Sequence, residues 1–319
     1  MCTLSESVCT VVVTYNRKEL LRRCLGALLT QSRSVDEIIV IDNASSDGTP
    51  EMLAAEFPGV IHIRLNANTG GAGGFHEGVK AAYRRGHAWI WVMDDDVYPH
   101  VDALGALLQT GQALGRDKNS NILIPVRLWE DGSLADLTAL KYDLSTAFHL
   151  PSRVRIPVKA VYDQCSRLPE CQEVMDFAFE GPLLPREAVE AVGLPSKEYF
   201  IYGDDTDYAF RLRRAGFRLI LVSCARLFRM IRPDAKTKTP PWKLRYSIRN
   251  VLWLSRLYGE NWSTRHLRPW LWGIRYIAPA VLKGRMFSDR EAFCSIVQGV
   301  KEGLFFSPPR CQRGDSGRT

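Results

Sequence analysis

Within the first hundred residues, β-branched apolar segments alternate with amphipathic ones at short intervals, and that alternation limits the chain to an α/β fold with a mostly parallel sheet flanked by helices. Residues 8–14 form a run of valine and threonine suited to a buried strand, and 17–31 carry Leu20, Leu21, Cys24, Leu25 and Leu28 at helical spacing. Residues 37–42 read as a second strand, 49–57 as a short helix, 60–65 as a third strand, 75–85 as a helix and 88–94 as a fourth strand. At 319 residues and 46% hydrophobic composition, the chain can bury a full core as one large domain with an appendage, or as two.

Beyond residue 100 the signals weaken to a helix over 101–114, a strand over 121–128 and a loop-rich stretch to about 175. Order returns with an apolar segment over 177–184, a helix near 186–192, an acidic turn at 203–207 leading into a helix through Arg214, and a strand over 218–223. After Pro240-Pro241 the pattern is helical and rich in Arg, Trp and Leu. The formal charge of +7 conceals a division: residues 1–210 hold 19 Lys and Arg against 29 Asp and Glu, whereas 211–319 hold 23 against 6. A +17 segment calls for an anionic partner, whether phospholipid headgroups, a pyrophosphate or nucleic acid. No run of about 18 apolar residues occurs, and the first twenty residues lack a basic start, an apolar stretch and a cleavage site, so neither a standard secretion signal nor a membrane span is expected. The eight cysteines are scattered and form no CxxC pair, which suits reduced thiols; Cys165 and Cys171 leave a bridge or metal pair open.

In open parallel sheets, ligands bind beyond the carboxyl ends of the strands. Three polar clusters fall there: Thr14-Tyr15-Asn16-Arg17, the stretch from Asp42 to Asp47, and Asp94-Asp95-Asp96. Three adjacent carboxylates repel one another, and a divalent cation with hard oxygen ligands, Mg²⁺ or Mn²⁺, is the natural compensation; the plainer reading is a solvated acidic turn. Asp204-Asp205-Thr206-Asp207 follows the aromatic run Tyr199-Phe200-Ile201-Tyr202, a setting in which a carboxylate can be tuned to accept a proton, although acids also suit a helix N-terminus. Asn68-Thr69-Gly70-Gly71-Ala72-Gly73-Gly74 reads as a loop before a helix, its glycines letting backbone N–H groups approach phosphate or sugar; a flexible turn is the alternative.

Taken together and in order, these motifs, with Arg211 and Gly216, resemble the family 2 glycosyltransferases of the GT-A fold over about residues 8–255. Asn-Thr-Gly-Gly-Ala-Gly-Gly-Phe followed by Trp-Val-Met-Asp-Asp-Asp is most similar to bacterial galactofuranosyltransferases and their rhamnosyltransferase relatives of cell-wall and surface polysaccharide assembly. The resemblance implies an inverting transfer, most readily from UDP-galactofuranose, with dTDP-rhamnose as the alternative donor, to a polyprenyl-diphosphate-linked saccharide. It implies that Asp42 holds the pyrimidine ring with Thr14, Tyr15, Arg17 and Arg64 nearby, and that Asn68, Gly73, Gly74, Asp94 and Asp95 complete the nucleotide-sugar site. Asp94 and Asp96 would bind Mn²⁺ or Mg²⁺, Asp205 would be the general base, and Asp204 would orient the acceptor or take that role. Where the family usually places a histidine ligand, this chain has Arg229, which cannot ligate a cation but can offset the charge of a diphosphate leaving group.

The resemblance sets a catalytic domain over 1–232, with a nucleotide-binding half at about 8–100 and an acceptor half at about 100–232, a helical basic region over 233–308 and a disordered tail over 309–319. Trp242, Trp253, Trp262, Trp270 and Trp272 among the arginines suit helices lying on an anionic membrane, which places the protein in the cytoplasm on the inner face of the membrane; a helical appendage with solvated arginines is the plainer alternative. Tyr246, Arg249 and Asn250 match a family stretch that completes the acceptor side. Nucleic acid is not expected as a partner, because the acidic clusters would repel a polyanion; self-association is left open. A nucleotidyltransferase would need a glycine-rich phosphate loop after the first strand, which is missing; an inactive homologue and a non-catalytic binding module remain as rivals.

Overall fold

A computed structural model describes residues 6–115, 120–234, 238–282 and 288–309. Strands β1 (Val8–Thr14), β2 (Glu37–Asp42), β3 (Ile61–Arg64) and β4 (Trp89–Asp94) pair in parallel in the order β3-β2-β1-β4. Helices α1 (Lys18–Leu29), α2 (Thr49–Glu56) and α3 (Gly70–Arg84) connect them. Alternate side chains along each strand enter opposite cores. Val11, Val13, Ile39 and Ile41 meet Phe75, Val79 and Ala82 of α3, whereas Val12, Ile38 and Val40 share a core with Leu21, Leu25 and Leu28 of α1. Each such side chain, fully withdrawn from water, contributes about 1.5–3 kcal/mol.

The register brings the polar strand ends level. Thr14 lies beside Asp42, Asp42 beside Arg64, and Val13 beside Asp94, so the polar clusters share one edge. Beyond β4 the sheet changes direction. Strand β10 (Leu183–Pro185) runs antiparallel to β4 and to β6 (Asn121–Trp129), and β6 runs parallel to β11 (Arg218–Arg229). Strands β5 (Val97–Pro99) and β9 (Cys171–Glu173) pair antiparallel with β11. The sheet is therefore parallel in its first half and mixed overall. Helices α4 (Ala103–Ala113), α5 (Arg186–Val192) and α6 (Asp204–Arg214) accompany this half, and β7 (Ala139–Tyr142) pairs with β8 (Arg155–Pro157) in a small separate sheet.

Three expectations change. The helix expected over 75–85 begins at Gly70, so the glycine run is helical and not a loop. The strand expected over 218–223 continues to Arg229 across an irregularity between Val222 and Arg226. The apolar segment 177–184 becomes a strand only at Leu183, and that strand runs on to Pro185. Helices α7 (Pro241–Tyr258), α8 (Arg268–Leu282) and α9 (Arg290–Phe305) complete the described chain, and Ile248 and Leu252 of α7 share a core with Trp272, Ile296 and Val300. Gly299 and Gly303 let α9 press against α7, since a Cβ at either position would lie 2.6 Å from an α7 atom. None of the described helices is long and apolar enough to cross a membrane. Cys9, Cys24, Cys165, Cys171, Cys224 and Cys294 are free thiols, so Cys165 and Cys171 are not bridged. Cys2, Cys311 and all but Pro309 of the expected tail lie outside the described residues.

Candidate active site

Asp42 is fully buried at the end of β2. Its Oδ1 accepts the Ser45 amide at 2.7 Å, but the equally buried Oδ2 has no hydrogen-bond partner. His62 Nε2 at 3.4 Å and Arg64 Nε at 3.8 Å lie close without a hydrogen bond to it. A desolvated carboxylate oxygen without a donor is costly, and it fits an incoming N–H such as that of a pyrimidine ring. The loops above it are locked together: Asn16 N donates to Ser45 Oγ at 2.9 Å and Ser46 N to Asn16 Oδ1 at 2.7 Å. Asn16 and Ala44 hold positive φ of 51° and 66°, and Phe200 and Tyr202 hold 63° and 64°. Such strained backbone persists where surrounding contacts impose it.

Asp94, Asp95 and Asp96 turn the chain from β4 into β5. Thr14 Oγ1 donates to Asp95 Oδ2 at 2.6 Å, and Arg17 Nη1 lies 3.0 Å from both Asp95 Oδ1 and Asp96 Oδ2. Thr14 and Arg17 thus act on the carboxylates, with Asp95 turned inward as their anchor. Tyr15 stays exposed. Burial pushes the Asp95 carboxyl up to about 6, against the opposing pull of Arg17 and Thr14. Asp94 is raised well above the usual carboxylate range, first by burial, then by Asp96, Asp95 and Glu180. Asp94 and Asp96 present hard oxygen ligands with excess negative charge, which fits a divalent ion sharing its shell with phosphate oxygens. No third such ligand joins them among the described residues; the single group there with three ligand atoms within 4.8 Å is Cys9, Glu37 and His87. That group lies near the opposite ends of the strands, with Arg85 Nη2 on Glu37 at 2.7 Å and the Cys9 thiol pushed up to about 12 by burial and Glu37.

Arg229 pairs with Val97 through the sheet, which brings it beside the acidic turn. Its Nη2 lies 2.8 Å from Glu180 Oε1, and its guanidinium stacks 5.4 Å from the Trp129 ring centre. The charge expected to meet a leaving group is therefore balanced by Glu180, which Arg127 also contacts at 3.3 Å.

Asp204 and Asp205 open α6. Burial and then Asp205 raise Asp204 well above its usual value. Asp205 is pushed up to about 6 by burial, lowered by its bond from the Thr206 amide, raised by Asp176 and Glu180 and lowered by Arg155. Glu180 raises both Asp94 and Asp205, so one buried carboxylate lies within electrostatic reach of both clusters. Asp207 is structural: Tyr199 Oη, Tyr258 Oη and Arg211 Nε hold it at 3.2, 2.6 and 3.0 Å.

The loop before α6 is clamped from two sides. Asn250 Nδ2 donates to the carbonyls of Tyr199, Ile201 and Tyr202 at 3.0, 2.8 and 2.7 Å, and Arg249 Nη2 reaches those of Glu198 and Tyr199. Tyr246 stacks on Phe200 at 4.8 Å. From the other side, Ala72 N donates to Phe200 O, and a Cβ at Gly70 would lie 2.0 Å from that oxygen. Asn43 Nδ2 also donates to Gly70 O, which ties the end of β2 to the same junction. Packing requires glycine at two further positions of the run: a Cβ at Gly73 would meet Thr69 Oγ1 at 2.2 Å, and one at Gly74 would meet Val13 Cγ1 at 2.4 Å. Asn68 Oδ1 accepts the Gly70 amide and stays exposed at the helix start.

Sequence reasoning alone does not single out Glu180, Asn43, Arg155 or Asp176. Glu180 has a local signal, the aromatic run 177–179 before Gly181-Pro182; Arg155 and Asp176 meet at 3.0 Å across 21 positions and have none.

Residues 9–118 match the glycosyl transferase family 2 model. Galactofuranosyltransferase GlfT1 of Mycolicibacterium smegmatis is 31% identical over 218 residues, covering 67% of this chain and 68% of that one. The chain belongs to the family 2 glycosyltransferases. A second relative, the N-acetylglucosaminyl-diphospho-decaprenol L-rhamnosyltransferase of Mycobacterium tuberculosis, is 26% identical over 234 residues, covering 70% of this chain and 75% of that one. The mannosyltransferase of Pyrobaculum calidifontis, solved with GDP-Man and Mn²⁺, superposes with a TM-score of 0.54 at 16% identity, over 93% of this chain and 87% of that one. This glycosyltransferase therefore has the GT-A fold.

Proposed function

We propose that this glycosyltransferase moves galactofuranose from UDP-galactofuranose to a hydroxyl of a polyprenyl-diphosphate-linked saccharide, with inversion, at an anionic membrane surface on the cytoplasmic side. The observation that supports this reading is the strand-end edge shared by the unpartnered Asp42 Oδ2 and the Asp94–Asp96 turn, with the Asp204–Asp205 pair coupled to it through Glu180, which raises both Asp94 and Asp205. Asp42 Oδ2 accepts the pyrimidine N–H, with Arg64 beside it. Asp94 and Asp96 would hold Mn²⁺ or Mg²⁺, which supplies positive charge against the donor diphosphate. Asp205 takes the acceptor hydroxyl proton as that oxygen bonds to the anomeric carbon, and the nucleoside diphosphate leaves with the electron pair of the broken C–O bond. Asp204 orients the acceptor, or takes the proton in its place. Arg229, exchanging Glu180 for a phosphate oxygen, offsets the leaving charge.

The rhamnosyltransferase relative supports dTDP-rhamnose as the second donor to be tried. A panel of UDP- and dTDP-sugars, each with Mn²⁺, Mg²⁺ or EDTA, tests the reading on the purified protein. Transfer from UDP-galactofuranose that EDTA abolishes is expected. Activity that survives EDTA would assign the leaving-group charge to Arg229 and its neighbours, and silence with every donor and acceptor would overturn the reading.

A further inference from the structure

Beside the core that they share with α7, helices α8 and α9 leave an apolar surface exposed. Trp270, Gly273, Ile274 and Ile277 of α8, with Val300 and Leu304 of α9, line a groove of about 260 Å³. Around it Trp270, Ile274, Leu282 and Phe305 are 50%, 63%, 86% and 65% exposed, and the Trp270 and Phe305 rings meet edge-on at 5.6 Å. Single exposed apolar side chains are ordinary on a protein surface, but a contiguous patch marks an interaction site. Arg275 and Lys301 are exposed on the same two helices, as is Glu291, and residues 261–305 contain seven Lys or Arg against three acids.

We propose that this face lies in the interfacial layer of an anionic bilayer, with the groove between α8 and α9 taking a lipid hydrocarbon chain. The charge selects this occupant. A second copy seated on the same face would set cation against cation, whereas anionic headgroups meet Arg275 and Lys301 while the aromatic and aliphatic side chains enter the acyl boundary. The attachment also orients the site. Helix α7 bonds the loop before Asp204 through Arg249 and Asn250, and through Ile248 and Leu252 it joins the core shared with α8 and α9. The bilayer then lies roughly two helix layers, about 20 Å, from the carboxylates, a span suited to a diphosphate-linked saccharide. The attachment deepens the membrane reading proposed above by assigning its surface, and this last step rests also on the lipid-linked acceptor.

Flotation of the full chain with vesicles of pure phosphatidylcholine and of equimolar phosphatidylcholine and phosphatidylglycerol tests it. Binding to the anionic vesicles alone is expected, weakened at least about tenfold in Ile274→Glu and in Phe305→Glu. UDP affinity and transfer to a lipid-free acceptor should be unchanged in both. Brominated acyl chains should quench the wild-type tryptophan emission more than that of Trp270→Phe. Flotation of Ile274→Glu equal to wild type, no flotation at all, or a dimer that Ile274→Glu splits would overturn the proposal. Should Ile274→Glu lose UDP binding, Ile274→Ala carries the same test without a buried charge. Vesicle binding with no transfer from any donor would leave the attachment standing and remove the proposed reaction.

Discussion

The two carboxylate clusters of this site are built in different ways. At the Asp94–Asp96 edge, three consecutive acids close the parallel strand β4, and Arg17 bridges two of them at 3.0 Å. At the Asp204–Asp205 edge, the acids open a helix among other carboxylates, Asp176 and Glu180, with Arg155 as the opposing cation. The first edge carries negative charge in excess of its cation, which a divalent ion can fill; the second is a place where a proton is held and exchanged. In the proposed reaction the first side binds the donor and the second transfers the proton.

This division gives graded expectations. Asp205→Asn should lower transfer about 10²- to 10⁴-fold, as loss of a general base does, and steady-state kinetics with saturating donor reads it. Asp42→Ala should act on the other side, weakening UDP roughly ten- to a hundredfold by calorimetry through loss of a charge-assisted hydrogen bond. Asn250→Ala frees three loop carbonyls and should cost about ten- to a hundredfold in kcat with little change in UDP affinity, because the loop that positions Asp204 and Asp205 shifts. The smallest effect concerns pH. With Asp205 raised to about 6, it is protonated and unable to accept a proton below that pH, so kcat/KM should rise through about pH 6 and then level. Asp176→Asn removes a charge that raises Asp205 and should move that limb to lower pH.

The same two edges differ in how far the sequence revealed them. The parallel half follows from local alternation, since β1, β2 and β4 are largely apolar runs that each end in a polar cluster, and β1 matches residues 8–14 as expected. The glycine run misled, because glycine is a poor helix former, and only the folded chain shows that a Cβ at Gly70, Gly73 or Gly74 would strike Phe200, Thr69 or Val13. The mixed half of the sheet and its loops are assembled from distant residues. Arg155 and Asp176 meet only in the folded chain, and β11 passes an irregularity that masks its continuation to Arg229. The restraint of Arg229 by Glu180 is likewise invisible without the sheet register that brings β11 to β5.

UDP affinity of Asp205→Asn, measured by calorimetry with Mn²⁺ beside its transfer rate, tests the division of labour most directly. The account predicts wild-type affinity with turnover reduced at least about a hundredfold. Parallel loss of binding and turnover, or turnover close to wild type, would contradict it.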